Sequence, residues 1–244
     1  MTIDTAVILA GGKGTRLYPV TKGSIPKALV KVKNKSLLDY VIETFTSSGI
    51  KRIVISAGHL YQKIASHLAE RDYEADVKLV IEDFPLGTAG AIRYAVEKTG
   101  IEGDFFLTNA DTLTTVDLDQ MQQFYQGTPG LALMALVPSS DLRNRVVMLD
   151  EENRVLATKL YPTPDELEGW TRIGSDFFVN AGVYLLNSEC FKCIPPKRLT
   201  PINDLINKLV SNGKLYAFST NAQYFNVGTP SDLDLAEKFW QPRS

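Results

Sequence analysis

Short apolar runs of strand length alternate with amphipathic stretches of helix length through the first hundred residues. That alternation constrains the fold more than any other feature. Thr5–Ala10 is an apolar run closed by Gly11-Gly12, the pattern of a strand buried on both faces of a parallel sheet. Ser36–Ser48 carries Leu37, Leu38, Val41, Ile42 and Phe45 at helical spacing, opens on a Ser-x-x-Asp cap (Ser36, Asp39) and stops at Gly49. Arg52–Ala57, Val77–Glu82 and Asp104–Thr108 repeat the strand pattern, and His59–Glu70 and Thr88–Lys98 the helical one, the latter closed by Gly100. Such an order predicts an α/β fold: a mostly parallel sheet with right-handed crossovers and helices on both faces.

The second half reads differently. Leu131–Pro138, Arg145–Leu149, Arg154–Leu160 and Phe177–Leu186 are strand-like runs joined by turn sequences such as Asp150-Glu151-Glu152-Asn153. They predict hairpins added to the sheet rather than further βαβ units. Thr200-Pro201 and Thr229-Pro230 look like helix starts, a threonine cap followed by proline at the first helical position. One helix, Leu233–Trp240, follows the second of them, which leaves no room for an appended domain. The expectation is one domain over 1–244, with a first half (1–130) and a hairpin-rich second half (131–244).

Charge and composition exclude several classes. Twenty-six basic and 28 acidic residues give a formal charge of −2, so no global basic field gathers nucleic acid or an anionic membrane. No apolar run approaches the span of a bilayer, and no charged leader precedes the first apolar stretch. Two cysteines cannot form a disulfide framework. A cytoplasmic protein without nucleic-acid or membrane partners is expected.

The chemistry concentrates where the first strand ends, at Leu9-Ala10-Gly11-Gly12-Lys13-Gly14-Thr15-Arg16. Glycines let backbone N–H groups approach a ligand closely, and such a turn after a parallel strand makes a nest for phosphate oxygens or simply a tight turn. It is not a Walker A loop, which ends in Lys-Ser/Thr after a longer spacing. Nor is it G-x-G-x-x-G, since Leu17 stands where the third glycine would be.

The longer run GGKGTRLYPVTKGSIPKALV (11–30) resembles the signature of the sugar-1-phosphate nucleotidyltransferases, the nucleoside-diphosphate-sugar pyrophosphorylases. The resemblance continues in order along the chain: Pro85-Leu86-Gly87-Thr88-Ala89-Gly90-Ala91, Asn109-Ala110-Asp111-Thr112, Asn180-Ala181-Gly182 and Phe225-Asn226-Val227-Gly228-Thr229-Pro230. It implies a Rossmann-like nucleotide-diphospho-sugar transferase fold. The implied activity joins a nucleoside triphosphate to a sugar 1-phosphate and releases pyrophosphate by in-line attack on the α-phosphate.

Residue by residue, the resemblance implies that Leu9, Ala10, Gly11, Gly12, Gly14, Thr15, Gly87 and Thr88 bind the nucleotide. Arg16 and Lys27 would contact phosphates, and Asp111, with Asn226, would ligate Mg²⁺ as the cofactor. Lys159 would grip the sugar phosphate, while Asn180 and Gly182 would meet sugar hydroxyls. The loop Leu86–Gly90 looks most like that of mannose- or heptose-1-phosphate guanylyltransferases, which favours GTP. No hexapeptide repeat accompanies it, so no acetyltransferase domain is implied. Similar proteins are often dimers or tetramers, and no feature of this sequence decides whether the chain forms a homo-oligomer.

Four positions depart from the pattern. Asn226 stands where a second metal-binding aspartate is usual, and Ala110 replaces a glycine. Asn144-Arg145 falls where a Tyr-Gly pair commonly lines the sugar site, and Thr158 where a glutamate precedes the lysine. These departures motivate an alternative, a catalytically weak homologue that binds a nucleotide sugar as a regulatory or scaffold subunit. Three further signals are read blandly. Cys190-x-x-Cys193 is expected on one helical turn as partly buried apolar residues, and His59 and His67 need not share a ligand. The 161–176 stretch, with an exposed-looking Trp170, reads as a flap over the acceptor site or a surface loop.

Overall fold

The computed structural model describes residues 2–196 and 198–242. In chain order its strands and α-helices are β1 (Thr5–Leu9), α1 (Tyr18–Thr21), β2 (Lys31–Val32), β3 (Lys35–Ser36), α2 (Leu37–Ser47), β4 (Arg52–Ala57), α3 (Tyr61–Ala69), β5 (Asp76–Ile81), α4 (Gly87–Thr99), β6 (Asp104–Asn109) and β7 (Thr112–Thr114). There follow α5 (Leu118–Gln126), β8 (Ala132–Ser139), β9 (Arg145–Leu149), β10 (Val155–Leu160), β11 (Arg172–Ile173), β12 (Asp176–Asn187), α6 (Ile202–Ser211), β13 (Leu215–Ser219), β14 (Tyr224–Asn226) and α7 (Pro230–Phe239).

The parallel part follows from the alternation. β5, β4, β1 and β6 lie side by side in that order, all parallel, with Val7 paired to Val54 on one edge and to Leu107 on the other. Side chains alternate across this sheet, so Ala6 and Ile8 join one hydrophobic layer and Val7 the opposite one. α2 covers the first layer with Leu38, Val41, Ile42 and Phe45, and α4 the second with Ala89, Ile92, Ala95 and Val96.

The antiparallel part grows from β12. Its Val183–Asn187 stretch pairs antiparallel with β6, and its other edge runs along β8. β9 and β10 form the expected hairpin. β13, which follows α6, runs parallel to β8, so the second half is not built of hairpins alone. Register slips once along β12. Asn180 faces Leu136 while Tyr184 faces Met134, and the extra residues between them make a bulge at Gly182, φ +75°.

Two helix starts were expected at threonines, and one differs. Thr229 caps α7 by accepting from the Asp232 N–H at 3.2 Å, with Pro230 first in the helix. At α6 the cap position belongs to Pro201. Thr200 is buried instead, donating its N–H to Leu86 O (2.7 Å) and accepting from the Ala89 and Gly90 N–H groups (3.0 and 3.2 Å). It is a clamp on the start of α4. Ser36 caps α2 as expected, accepting from the Asp39 N–H at 3.0 Å. The Asp39 carboxylate, however, turns to His67 Nε2 (2.8 Å) and the Tyr73 hydroxyl (2.9 Å), tying α2 to the segment around α3.

A third, smaller core lies beneath the site. Leu17, Val30, Val32, Leu37, Tyr40, Leu113, Val227, Ala236 and Trp240 pack together. They fix the turn carrying Arg16 against the β14–α7 corner carrying Asn226. The short segment 161–176 is anchored by fully buried Leu167, and Trp170 is half-buried against the main core rather than exposed. Cys190 is buried on a 3₁₀ turn, its thiol 3.0 Å from Leu131 O, while the side chain of Cys193 lies outside the described residues.

Candidate active site

A cleft of about 980 Å³ opens where β1 and β6 end, at the carboxyl edge of the parallel strands. Its wall contains Leu9, Ala10, Gly11, Gly12, Gly14, Thr15 and Arg16 from the first turn, with Lys27, Gly87, Thr88, Asp111 and Asn226. The structure therefore brings together every nucleotide-side and metal residue that the sequence singles out.

The glycines of this cleft answer to different constraints. A Cβ on Gly11 would lie 2.6 Å from Glu82 Oε1 and 3.3 Å from the Gly58 backbone nitrogen. Gly14 takes φ +61°, and a 3₁₀ turn over Thr15–Leu17 follows it. That turn buries Leu17 completely and leaves Arg16 projecting over Gly228. Gly87 has φ +69°, and a Cβ there would sit 2.7 Å from Thr200 O. Its glycine is thus demanded by the crossing backbone as well as by the cleft.

At the junction of the two halves of the sheet, Lys27 and Asp111 form an ion pair, each largely buried. Asp111 follows β6, and its carbonyl accepts from the Val227 N–H at 2.9 Å, which sets Asn226 beside it. The short β7–β14 pair, with Asn226 opposite Thr112, holds that geometry. Among the described residues no three His, Cys, Asp or Glu side chains are grouped so as to hold a metal ion. One carboxylate and one amide oxygen face the cleft here.

Glu82 is a cleft residue that sequence reasoning passed over. It follows β5 and lies against Gly11, accepting from the Ser56 hydroxyl at 3.1 Å. Burial pushes its carboxyl above the usual range, with the Ser56 hydroxyl and the Leu86 N–H pulling partly back. Its signal in the sequence is an acidic residue directly after the apolar Leu79-Val80-Ile81, five positions before Gly87. His59 also borders the cleft, its N–H 3.4 Å from Gly11 O, whereas His67 sits apart with Asp39.

The expected acceptor residues lie outside the cleft wall. Lys159 is half-buried on β10, 2.5 Å from Glu166 Oε1. Asn180 spends its polar atoms locally, donating Nδ2 to the Tyr184 hydroxyl (2.7 Å) and accepting from the Gly182 N–H (3.0 Å). A Cβ on Gly182 would meet Thr112 Cγ2 at 2.9 Å, so this glycine lets the bulge pack on the strand behind Asp111. Tyr161, at φ +52°, swings from β10 into the cleft wall.

Comparison with known proteins agrees with this geometry. The D-glycero-alpha-D-manno-heptose 1-phosphate guanylyltransferase of Aneurinibacillus thermoaerophilus is 30% identical over 234 residues, covering 96% of each chain. The mannose-1-phosphate guanyltransferase of Debaryomyces hansenii is 29% identical, and the match covers 93% of this chain but 62% of that one. Among solved structures, HddC from Yersinia pseudotuberculosis superposes with a TM-score of 0.80 at 27% identity, over 97% of this chain and 99% of that one; it has also been solved in complex with GMP-PN. Residues 5–241 match the family described as nucleotidyl transferase, and the chain belongs to that family.

Proposed function

We propose that the cleft takes GTP and a sugar 1-phosphate of the mannose or heptose type, and that the chain transfers GMP between them with release of pyrophosphate. The observation that carries this reading is a polarity along the glycine turn: cationic Arg16 and Lys27 lie by its Gly14 end, and an acceptor-only carboxylate, Glu82, lies against Gly11 where the turn begins. Guanine presents N1–H and an exocyclic amino group side by side, and an ionised carboxylate offers two oxygens to that pair. Adenine and cytosine carry a ring acceptor where guanine has N1–H. The names of the relatives point the same way.

In this reading the triphosphate lies along Gly11–Thr15, whose backbone N–H groups face its oxygens. An oxygen of the sugar phosphate attacks the α-phosphorus, a new P–O bond forms, and the bond to the leaving pyrophosphate breaks. Arg16, lying over Gly228, spans two phosphate oxygens with its planar fork. Lys27 leaves Asp111 to meet incoming phosphate charge, which frees the carboxylate. Asp111 and Asn226 would hold a magnesium ion, which when bound would supply positive charge to screen the transferring group. The protein's contribution is position and electrostatics, with no covalent intermediate.

The test is pyrophosphate release with Mg²⁺, crossing the four nucleoside triphosphates against a panel of sugar 1-phosphates. Release is expected to need GTP and one sugar phosphate together. Release with another base in preference to GTP would overturn the role of Glu82. Nucleotide-sugar binding without any release would favour a regulatory subunit.

A further inference from the structure

Among the described residues, no carboxylate forms an ion pair with the buried Arg145. It sits on β9, 8% exposed, opposite Leu160 of β10. Its Nη1 donates to Thr158 Oγ1 at 2.9 Å and its Nη2 to the side-chain oxygen of Asn203. Both acceptors are neutral. Four carboxylates of this half of the chain are engaged elsewhere: Asp141 and Asp232 with Arg143, Asp150 with Arg154, Glu166 with Lys159. A guanidinium stays charged at any physiological pH and offers five N–H donors, and burying it unpaired is costly.

A second positive pole points at the same place. α6 begins without a side-chain cap, and Asn203, which holds Arg145, lies in its first turn. The helix dipole favours an anion there, and Asp204 in the same turn offsets part of it. Near these poles stands Asn180, one of the residues expected to serve the acceptor. The Tyr184 hydroxyl, bonded to Asn180, feels the charge of Arg145. The neighbouring Asn144 accepts the Tyr161 N–H and the Tyr224 hydroxyl, both at 3.4 Å, and Tyr161 lines the cleft. Relative to the pattern that the sequence resembles, Arg145 for glycine and Thr158 for glutamate add a positive charge and remove a negative one.

We infer that Arg145, with the first turn of α6, recognises a second anionic group on the acceptor, so that the preferred acceptor is a sugar 1-phosphate carrying a further carboxylate or phosphate. The inference rests on the transferase reading and narrows it. Arg145 is a specificity residue here, remote from the reacting phosphorus, and a planar fork meeting a carboxylate or phosphate makes two parallel hydrogen bonds.

Initial rates of pyrophosphate release with GTP are compared for mannose 1-phosphate, mannuronic acid 1-phosphate and mannose 1,6-bisphosphate. One charged acceptor is expected to exceed the neutral one by roughly tenfold or more in kcat/KM, mostly through KM. Arg145→Gln should bring that ratio close to one without moving KM for GTP, and Arg145→Lys should keep part of it. Equal or better use of the neutral sugar by the wild type overturns the inference. So does an equal loss on all three acceptors with a lowered Tm, which would make Arg145 a tie between β9, β10 and α6. If no acceptor supports release, the transferase reading is what fails. Calorimetry with mannuronic acid 1-phosphate then decides: binding by the wild type and not by Arg145→Gln supports the anion site, and absence of binding to the wild type overturns it.

Discussion

The two parts of the sheet build their shares of the site by opposite means. On the parallel side one contiguous turn, residues 9–16, supplies the wall of the cleft through its backbone, and side chains add to it. On the antiparallel side the corresponding residues come from β9, β10, β12, α6 and β14, and they meet through side chains such as Arg145, Thr158, Asn180, Tyr184 and Asn203. A site made of backbone is fixed by where glycine is allowed and tolerates little variation. A site made of side chains on separate strands can change its charge with one or two substitutions while the sheet beneath it stays the same. The departures from the resembled pattern at Arg145 and Thr158 fall on that second, adaptable side.

The sharpest way to break the comparison is at its junction, because Asp111 belongs to both sides. Asp111→Ala removes the carboxylate paired with Lys27 and the metal ligand proposed here. It should lower kcat by about 10²–10³-fold with either substrate saturating, the range for losing one electrostatic contact to a transferring group. Pyrophosphate-release kinetics measure it, and a loss of less than about tenfold would remove Asp111 from the chemistry.

Next in size is Gly11→Ala, confined to the parallel side. The new Cβ would fall 2.6 Å from Glu82 Oε1, the mobile end of a side chain, and 3.3 Å from the Gly58 backbone nitrogen. The fold should therefore survive while Glu82 is displaced and the cleft narrowed. A misplacement of that order costs about a hundredfold in productive binding, expected in KM for GTP with KM for the sugar phosphate unchanged. An equal rise in both constants would blur the division between the two sides.

Glu82→Gln is a smaller change at the same place, worth about tenfold in the preference for GTP over other triphosphates. The sign of its pH dependence follows from burial. The carboxyl is held above the usual range, and guanine needs it ionised, so KM for GTP should rise as the pH falls through that raised value. Glu82→Gln should flatten the profile. The same raised value means that ionised Glu82 lowers folding stability as pH rises, so this variant should show no loss of Tm at neutral pH.

The legibility of the two sides in the sequence differs for the same reason. β4 and β9 fall on the residues expected, and β1, β5, β6 and α4 within about two, because hydrophobic runs closed by glycine or charge are local signals. α3 starts late, at Tyr61, since Leu60 takes φ +56° after the turn at Gly58. β7 and β14, three residues each, carry no periodicity, yet their pairing sets Asn226 beside Asp111. Thr200-Pro201 reads as a cap and first helical residue, but tertiary demand overrides it: Thr200 must bond to Leu86, Ala89 and Gly90, and the helix starts one residue later. Arg145 was visible as a departure, whereas its neighbour Asn203, 58 positions away, was not. Side chains brought together across such distances leave no spacing to read.

The smallest effect expected is at Lys159, and it bears on the adaptable side most directly. The resemblance gives it the acceptor phosphate, while in the structure it faces Glu166 at 2.5 Å and stands 40% exposed. An exposed pair of this kind is weak and screened by salt, so it does not hold Lys159 back from an arriving phosphate. Nor does its position outside the cleft wall make it the principal phosphate ligand, a place that the proposed reading gives to Arg16 and Lys27 in the cleft wall. Lys159→Met should therefore raise KM for the sugar 1-phosphate by about three- to fivefold, the scale of one solvated charge contact, and leave KM for GTP alone. The rise should shrink further at high ionic strength. A rise near a hundredfold would mean that the segment carrying Glu166 rearranges when substrate binds and that the acceptor side is completed only then. The two sides of the cleft would in that case differ in preorganisation as well as in composition.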